Sequence, residues 1–383
     1  MGFSVYQHWD PLKVCIVGRS YHPEFYSWIA NPRTRNIFEK LAIETEEDFQ
    51  SIIKKLQEFG VKIIRPDLPE QPFVNGQYIP PPTMPRDNTV MIGDTFYSNI
   101  EKYDFEYFYY NIQQPTWPNC KVFYELDNLP INIRNICLLE HEKYLKKINN
   151  TGYNKIFEYI ESNGNNVETL ADPHITGPMV SRIGRDLYFG THYYNEDTTT
   201  LQKVVNKKFK NTRNHIVNTG GHSDGTYCPV CPGLIISLHD VPTYQDTFPG
   251  WEVVYLPPSN LNKLKTFKKL KNQNNGKWWL PGFETDQDVI DIVESSLSNW
   301  TGYVEETVFD VNMLIIDPKN VMVFNYNKQV FDALERYGIT PHVVPFRHRY
   351  FWDGGVHCVT SDLHRDGIMQ DYFPNIVSNR SNT

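Results

Sequence analysis

The sequence is poor in cysteine. Its 383 residues include only six, Cys15, Cys120, Cys137, Cys228, Cys231 and Cys358, too few for a disulfide scaffold. The thiols are therefore expected to be reduced and the protein cytoplasmic. No run of about 18 apolar residues occurs, so no segment is expected to span a bilayer. The opening MGFSVYQHWDPLK lacks the apolar stretch of a signal peptide. Positive charge is in deficit as well: 37 Lys and Arg against 45 Asp and Glu leave a formal −8. A polyanion requires a basic face, so nucleic acid is excluded as a main partner. Cys228-Pro-Val-Cys231 has no second pair to complete a zinc site. Gly220-Gly221 is not followed by the GK[ST] of a phosphate loop. No cofactor and no metal are expected. What remains is a chain with 40% hydrophobic and 21% charged residues, enough apolar material to bury a core.

That material repeats. FQSIIKKLQEFGVKIIRP places Phe49, Ile52, Ile53, Leu56 and Phe59 at helical spacing, with Gly60 as cap and Val61 to Ile64 as a strand. VFDALERYGITPHVVPF repeats the design around Gly338, and KIFEYIESNGNNVETL repeats it around Gly164. FPGWEVVYLP ends a weaker copy at Gly250, and TTTLQKVVNKKFKNTRNHIVNT is a fifth without the glycine. Apolar β segments lie between them at 13–19, 88–97, 186–194, 233–240 and 313–326. The last reads as a hairpin turning at Asp317-Pro318-Lys319-Asn320. A recurring strand–helix–strand unit predicts stacking around an axis or along a line, not two unrelated domains. One domain over 1–383 is expected, with the aromatic-rich segment of about 95–150 as an irregular insertion.

Polar, chemistry-bearing segments follow the repeated strands: PPTMPRDN (81–88), ADPHITGPM (171–179), TGGHSDGTY (219–227) and DGGVHCVTSD (353–362). Radial stacking would bring these strand ends into one cavity, with Asp87, His222, Asp224 and Cys358 in it. Cys358 follows Gly354 and Gly355, which allow tight turns and close ligand approach. A free thiol is only a few per cent thiolate at neutral pH, so a nucleophilic Cys358 needs a basic or cationic neighbour. The simpler reading is a buried core cysteine. His357 adjoins it, but on a strand neighbours point to opposite faces, which makes His357 a poor partner. His222 and Asp224 are two apart and share a face if extended. The simpler reading there is a polar turn, as it is for Asp87.

These segments resemble the amidinotransferases. WDPLKVCIVGR (9–19), MPRD (84–87), HSDGTY (222–227), the MLIIDPKNVMV hairpin and GGVHCVTSDLHRDG (354–367) look like that family's landmarks in order, with 95–150 unmatched. The resemblance implies an α/β fold, a five-bladed propeller of ββαβ modules (pentein-like), in one domain. It implies ping-pong transfer of an amidino group from a guanidino donor to an amine acceptor. Cys358 would be the nucleophile and His222 the acid–base group. Asp87 and Asp224 would grip the guanidinium, with Arg86, Gly355 and Asn312 also at the substrate. The partners implied are small molecules, with no nucleic acid and no membrane, and a homodimer left open.

Two positions depart from the family pattern. Counting back from Gly184-Arg185-Asp186, Met179 stands where the resemblance places the acid that orients the histidine. Methionine is no useful acceptor for an imidazole N–H, which leaves Asp172 or a backbone carbonyl to replace it. Val241 follows Asp240 where relatives acting on arginine carry an arginine for the substrate carboxylate, so free arginine and glycine are in doubt as substrates. The alternatives are a guanidine hydrolase of the same superfamily, or a binding protein in which catalysis is impaired.

Overall fold

At Gly60 and Gly338 the backbone takes φ of 74° and 69°, a region that costs other residues energy and ends a helix cheaply at glycine. Each glycine turns the chain from a helix into a short strand, and the same unit recurs five times in the computed structural model. It describes residues 2–69, 72–74, 77–98, 152–170, 175–191, 198–238, 244–256, 280, 282–283, 285–297, 300–301 and 310–375.

Every blade is a three-stranded sheet. Its first two strands form an antiparallel hairpin, and a third strand returns parallel to the second after a helix. The blades are Thr89–Ile92, Thr95–Ser98 and Asn166–Thr169; Val180–Ile183, Asp186–Gly190 and Arg213–Val217; Tyr227–Cys231, Leu234–Ser237 and Glu252–Tyr255; and Leu314–Asp317, Asn320–Val323 and Thr340–Val343. The fifth joins the two parts of the chain farthest apart in sequence. Thr360–Arg365 pairs antiparallel with Leu12–Val17, which pairs parallel with Lys62–Ile64. Closing the circle this way removes the exposed inner edge that an open array would leave.

The helices that return the chain are Pro32–Glu58, Asn154–Ser162, Thr198–Lys208, Tyr244–Thr247 and Lys328–Arg336. All five repeat positions read in the sequence fall on these helix–strand pairs. The first helix runs much further back than residue 49. Pro32 starts it, and the Asn31 side chain accepts from Arg33 N and Thr34 N, a capping arrangement suited to a helix start. Its inward face buries Phe38, Leu41, Phe49, Ile52 and Leu56.

Burial falls from axis to rim. The first strand Val180–Ile183 is buried at every position, while the third strands Asn166–Thr169, Glu252–Tyr255 and Thr340–Val343 have exposed ends. Strands buried on both faces lose the alternation that marks a half-exposed sheet. One expectation is corrected here. The insertion does not begin at 95, because Thr95–Ser98 is the second strand of a blade, pairing Val90 with Tyr97 and Met91 with Phe96. Residues 99–151 lie outside the described ones. Among the described residues no helix is long and apolar enough to cross a membrane.

Candidate active site: a ring of five inter-blade turns

A turn precedes the first strand of each blade, and the five turns meet at one end of the axis. Met84–Asn88 leads into Thr89–Ile92, Gly177–Met179 into Val180–Ile183, and His222–Thr226 into Tyr227–Cys231. Residues 310–312 lead into Leu314–Asp317, and 354–359 into Thr360–Arg365.

Each turn touches the next. A Cβ on Gly177 would come within 2.0 Å of Arg86 O, so only glycine lets these two turns pack. Ser223 Oγ donates to Met179 O at 3.1 Å. Asn312 Nδ2 lies 3.3 Å from Asp224 O and 3.1 Å from Cys358 Sγ, donating to both. Arg86 N donates to Cys358 O at 3.3 Å, which closes the ring.

Cys358 is buried at the centre of this arrangement. Its Sγ donates to Asp224 Oδ2 at 3.6 Å. The same oxygen accepts from His357 Nδ1 at 2.7 Å. Asn312 Oδ1 accepts from His357 N at 2.9 Å and from Cys358 N at 3.3 Å, so one carboxamide fixes the thiol and the backbone that carries it. A side chain at Gly355 would stand 2.3 Å from Asn312 Oδ1. A Cβ on Gly354 would meet Met84 Sδ at 2.7 Å and Cys358 Cβ at 2.9 Å. The two glycines are needed for close approach by neighbours.

The structure therefore brings Asp224, Cys358, Asn312 and Gly355 into direct contact, with the Asp87 turn hydrogen-bonded against the cysteine turn. His222 begins the turn that holds Asp224 and is half-buried. Met179 is fully buried, and its carbonyl anchors the residue after His222. Asp172 and Val241 lie outside the described residues.

Three sequence-based expectations change. His222 and Asp224 are not on an extended segment. Gly225 N donates to His222 O and Thr226 N to Ser223 O, so the segment is a single 3₁₀ turn. His357 and Cys358 also sit in a turn, and both reach Asp224 although strand geometry would have parted them. Arg86 does not face the ring. Its guanidinium is 1% exposed and pairs with Asp362 at 2.8 Å, with Nε donating to Thr360 O, so it holds the fold together.

Beneath the ring lies a dense charged cluster that sequence reading missed. Asp362 receives Arg182 at 2.8 and 2.9 Å, Arg365 at 2.7 Å and Arg86. Burial pushes the Asp362 carboxyl up, but Arg182, Arg86 and Arg365 overcome it and hold it well below the usual range. His357 is held well below its ordinary value, first by burial and then by the charges of Arg86 and His8. It is therefore neutral, and its Nδ1–H donates to Asp224. His8, similarly lowered by burial and then by Arg182, accepts from Arg182 N at 3.1 Å. The two imidazole rings are 5.9 Å apart.

Five ββαβ sheets closed by the joining of early and late strands, around a ring of turns with a buried thiol, make this a pentein-like α/β propeller. No family model matches the chain. Its sequence is similar to amidinotransferases over nearly all its length. It is 23% identical over a 417-residue alignment to the mitochondrial glycine amidinotransferase of Xenopus laevis, covering 96% of this chain and 84% of that protein. It is 21% identical to the putative inosamine-phosphate amidinotransferase 2 of Streptomyces griseus, covering 96% and 98%. Among solved structures, an amidinotransferase of saxitoxin biosynthesis from Microseira wollei superposes with TM-score 0.59 at 16% identity, over 97% of this chain and 99% of that one. The inosamine-phosphate amidinotransferase of Streptomyces griseus gives the same TM-score, identity and coverage. The chain resembles the amidinotransferases in sequence and shares their fold.

Proposed function

We propose that the protein is an amidinotransferase that carries the amidino group on Cys358. The observation that supports this best is one carboxylate oxygen, Asp224 Oδ2, shared by the Cys358 thiol and the His357 imidazole in the ring of turns. Asp224 and Asp87 would hold the flat guanidinium by charge-assisted hydrogen bonds, with its central carbon over the sulfur. Cys358 gives its thiol proton to His222 and attacks as the thiolate, so that the S–C bond forms and the C–N bond to the departing amine breaks. His222 gives that amine a proton and leaves an S-amidino-cysteine. An acceptor amine then attacks the same carbon, His222 takes its proton, and the sulfur departs as thiolate.

Asn312 would position the thiol throughout. Asp172 remains a candidate orienter of His222 from sequence, since Met179 offers only its carbonyl, which Ser223 uses. Donor and acceptor are small molecules. Free arginine is a doubtful donor, given Val241. The cytoplasm, a reducing compartment, would suit the buried thiols Cys15, Cys228 and Cys231 and a nucleophilic Cys358.

The test feeds labelled guanidino donors with and without amines. Label must pass into a new guanidino compound that depends on the amine. Release of label only to water would make the protein a hydrolase, and no release would leave a binding protein.

A further inference from the structure

A small cavity lies among the first strands of the blades, beneath the ring of turns. His8, Ser181, Tyr227 and Arg365 line it, together with Asp224 and His357 of the turns. It leaves about 20 Å³ open to the centre of a water molecule, and one water occupies about 10–15 Å³ of such space. The cavity is thus sized for one water and not for a substrate.

The two histidines in its wall offer complementary nitrogens. His8 Nε2 accepts from the backbone N–H of Arg182 at 3.1 Å, so that nitrogen carries no proton. Burial above all keeps the ring neutral, and its one proton is then on Nδ1, a donor. His357 is the reverse case. Its Nδ1 is 2.7 Å from Asp224 Oδ2. An ionised carboxylate only accepts, so Nδ1 holds the proton. Burial keeps this ring neutral as well, which leaves Nε2 as an acceptor. The ring centroids are 5.9 Å apart, too far for one ring to bond the other directly and a separation that a water spans. Arg365 offers a third partner. Its Nε donates to Asp362 and its Nη1 to Asp10 O, two of the five N–H groups of a guanidinium.

Such a bridge would reach the reacting sulfur. Which nitrogen of an imidazole keeps its proton is set by the hydrogen bond at the other. A donor at His357 Nε2 therefore holds the proton on Nδ1, aimed at Asp224 Oδ2. That oxygen also accepts from Cys358 Sγ. The opposite tautomer would set a lone pair against the carboxylate.

We infer that the cavity binds one water, which accepts from His8 Nδ1–H and donates to His357 Nε2, and that His8 is thereby a positioning residue for Asp224 and Cys358. The positioning role rests on the amidino-transfer reading above, whereas the water does not.

The test has two arms, both on the full chain. In the first, nitrogen NMR of the native protein reads the ring nitrogens. His8 Nδ1 and His357 Nδ1 should carry protons, His357 Nε2 should not, and His8 Nδ1–H should show a cross-peak to a long-lived water. A proton on His357 Nε2, or a His8 Nδ1–H with no such water, overturns the inference, and this arm needs no variant to fold. The second arm follows amidino loading of Cys358 by intact mass, from arginine and from 4-guanidinobutylamine. His8→Gln keeps an acceptor for Arg182 N but loses the donor at the Nδ1 position. Its maximal loading rate should fall about tenfold, the scale of one hydrogen bond. His8→Asn keeps a donor at that position and should retain most of the rate. Equal rates in all three proteins, or equal losses in the two variants, overturn the positioning role. A native chain that loads from no guanidine overturns the transfer reading, while its NMR spectra still decide the water.

Discussion

Asp224 and Asp362 are both buried, at 8% and 0% exposed, yet their surroundings differ in kind. Asp362 is saturated by three guanidinia at 2.7 to 2.9 Å. Asp224 Oδ2 is shared by a neutral imidazole and a thiol, the thiol at 3.6 Å. A carboxylate enclosed by cations is a structural joint that water and ligands do not enter. One reached by the Cys358 thiol and the adjoining imidazole is instead placed beside the proposed nucleophile. One late segment meets both, its turn carrying Cys358 toward Asp224 and its strand carrying Asp362 into the arginines. Chemistry and stability are thus segregated within a few residues of chain.

Removing the charge at each carboxylate should have opposite consequences for activity and stability. Asp224→Asn is expected to abolish turnover to background while shifting the urea midpoint little. Asp362→Asn leaves three buried guanidinia short of their anion and should destabilise by about 3–5 kcal/mol. Similar stability losses in the two variants would mean that both carboxylates are structural. Next in size is Gly355→Ala. Its new methyl would stand 2.3 Å from Asn312 Oδ1, and the cysteine turn must shift. A loss of about 10²-fold in turnover, the scale of a 1 Å misplacement, is expected with about 1–3 kcal/mol of stability. Unchanged kinetics would show that Asn312 does not fix the thiol.

The buried imidazoles give a smaller effect with a definite sign. The folded pKa values of His8 and His357 lie well below 6.5. As pH falls below about 6.5 the unfolded chain therefore binds protons that the folded one refuses, and stability present above that pH is lost. Denaturant midpoints at about pH 7.5 and 5.5 should differ in that direction, and the slope should flatten in His8→Asn or His357→Asn. A slope unaltered by both substitutions would place the acid sensitivity elsewhere. The smallest change expected is a gain. Met179→Asp offers an orienting acid at a fully buried position and should raise turnover on arginine-type donors while lowering stability. No gain would mean that the site is rebuilt around another partner for His222.

The helix–strand units were legible because most of their helices are amphipathic and four of the five turn into the strand at a glycine, the unit with Thr198–Lys208 being the exception. The Asp317–Asn320 turn was legible from its residues, and Lys319 N does donate to Asp317 Oδ1 at 2.8 Å. The first strands of two blades and of the closing sheet were not. Val180–Ile183, Tyr227–Cys231 and Thr360–Arg365 are buried almost throughout and carry Arg182, Pro229, Asp362 and Arg365. Such strands show neither alternation nor a purely apolar run, and proline argues against a strand. At the site, residue types were legible and geometry was not. His357 was set aside by a rule for strands, and Arg86 was placed at the substrate by motif although its side chain turns inward.

In the proposed reaction Cys358 takes an amidino group from a guanidinium. Intact mass of the protein after exposure to a panel of guanidines, with peptide mapping, tests it directly. A gain of one amidino group is expected, confined to Cys358 and absent in Cys358→Ala. A mass unchanged across the panel, or an adduct that persists in Cys358→Ala, would contradict it.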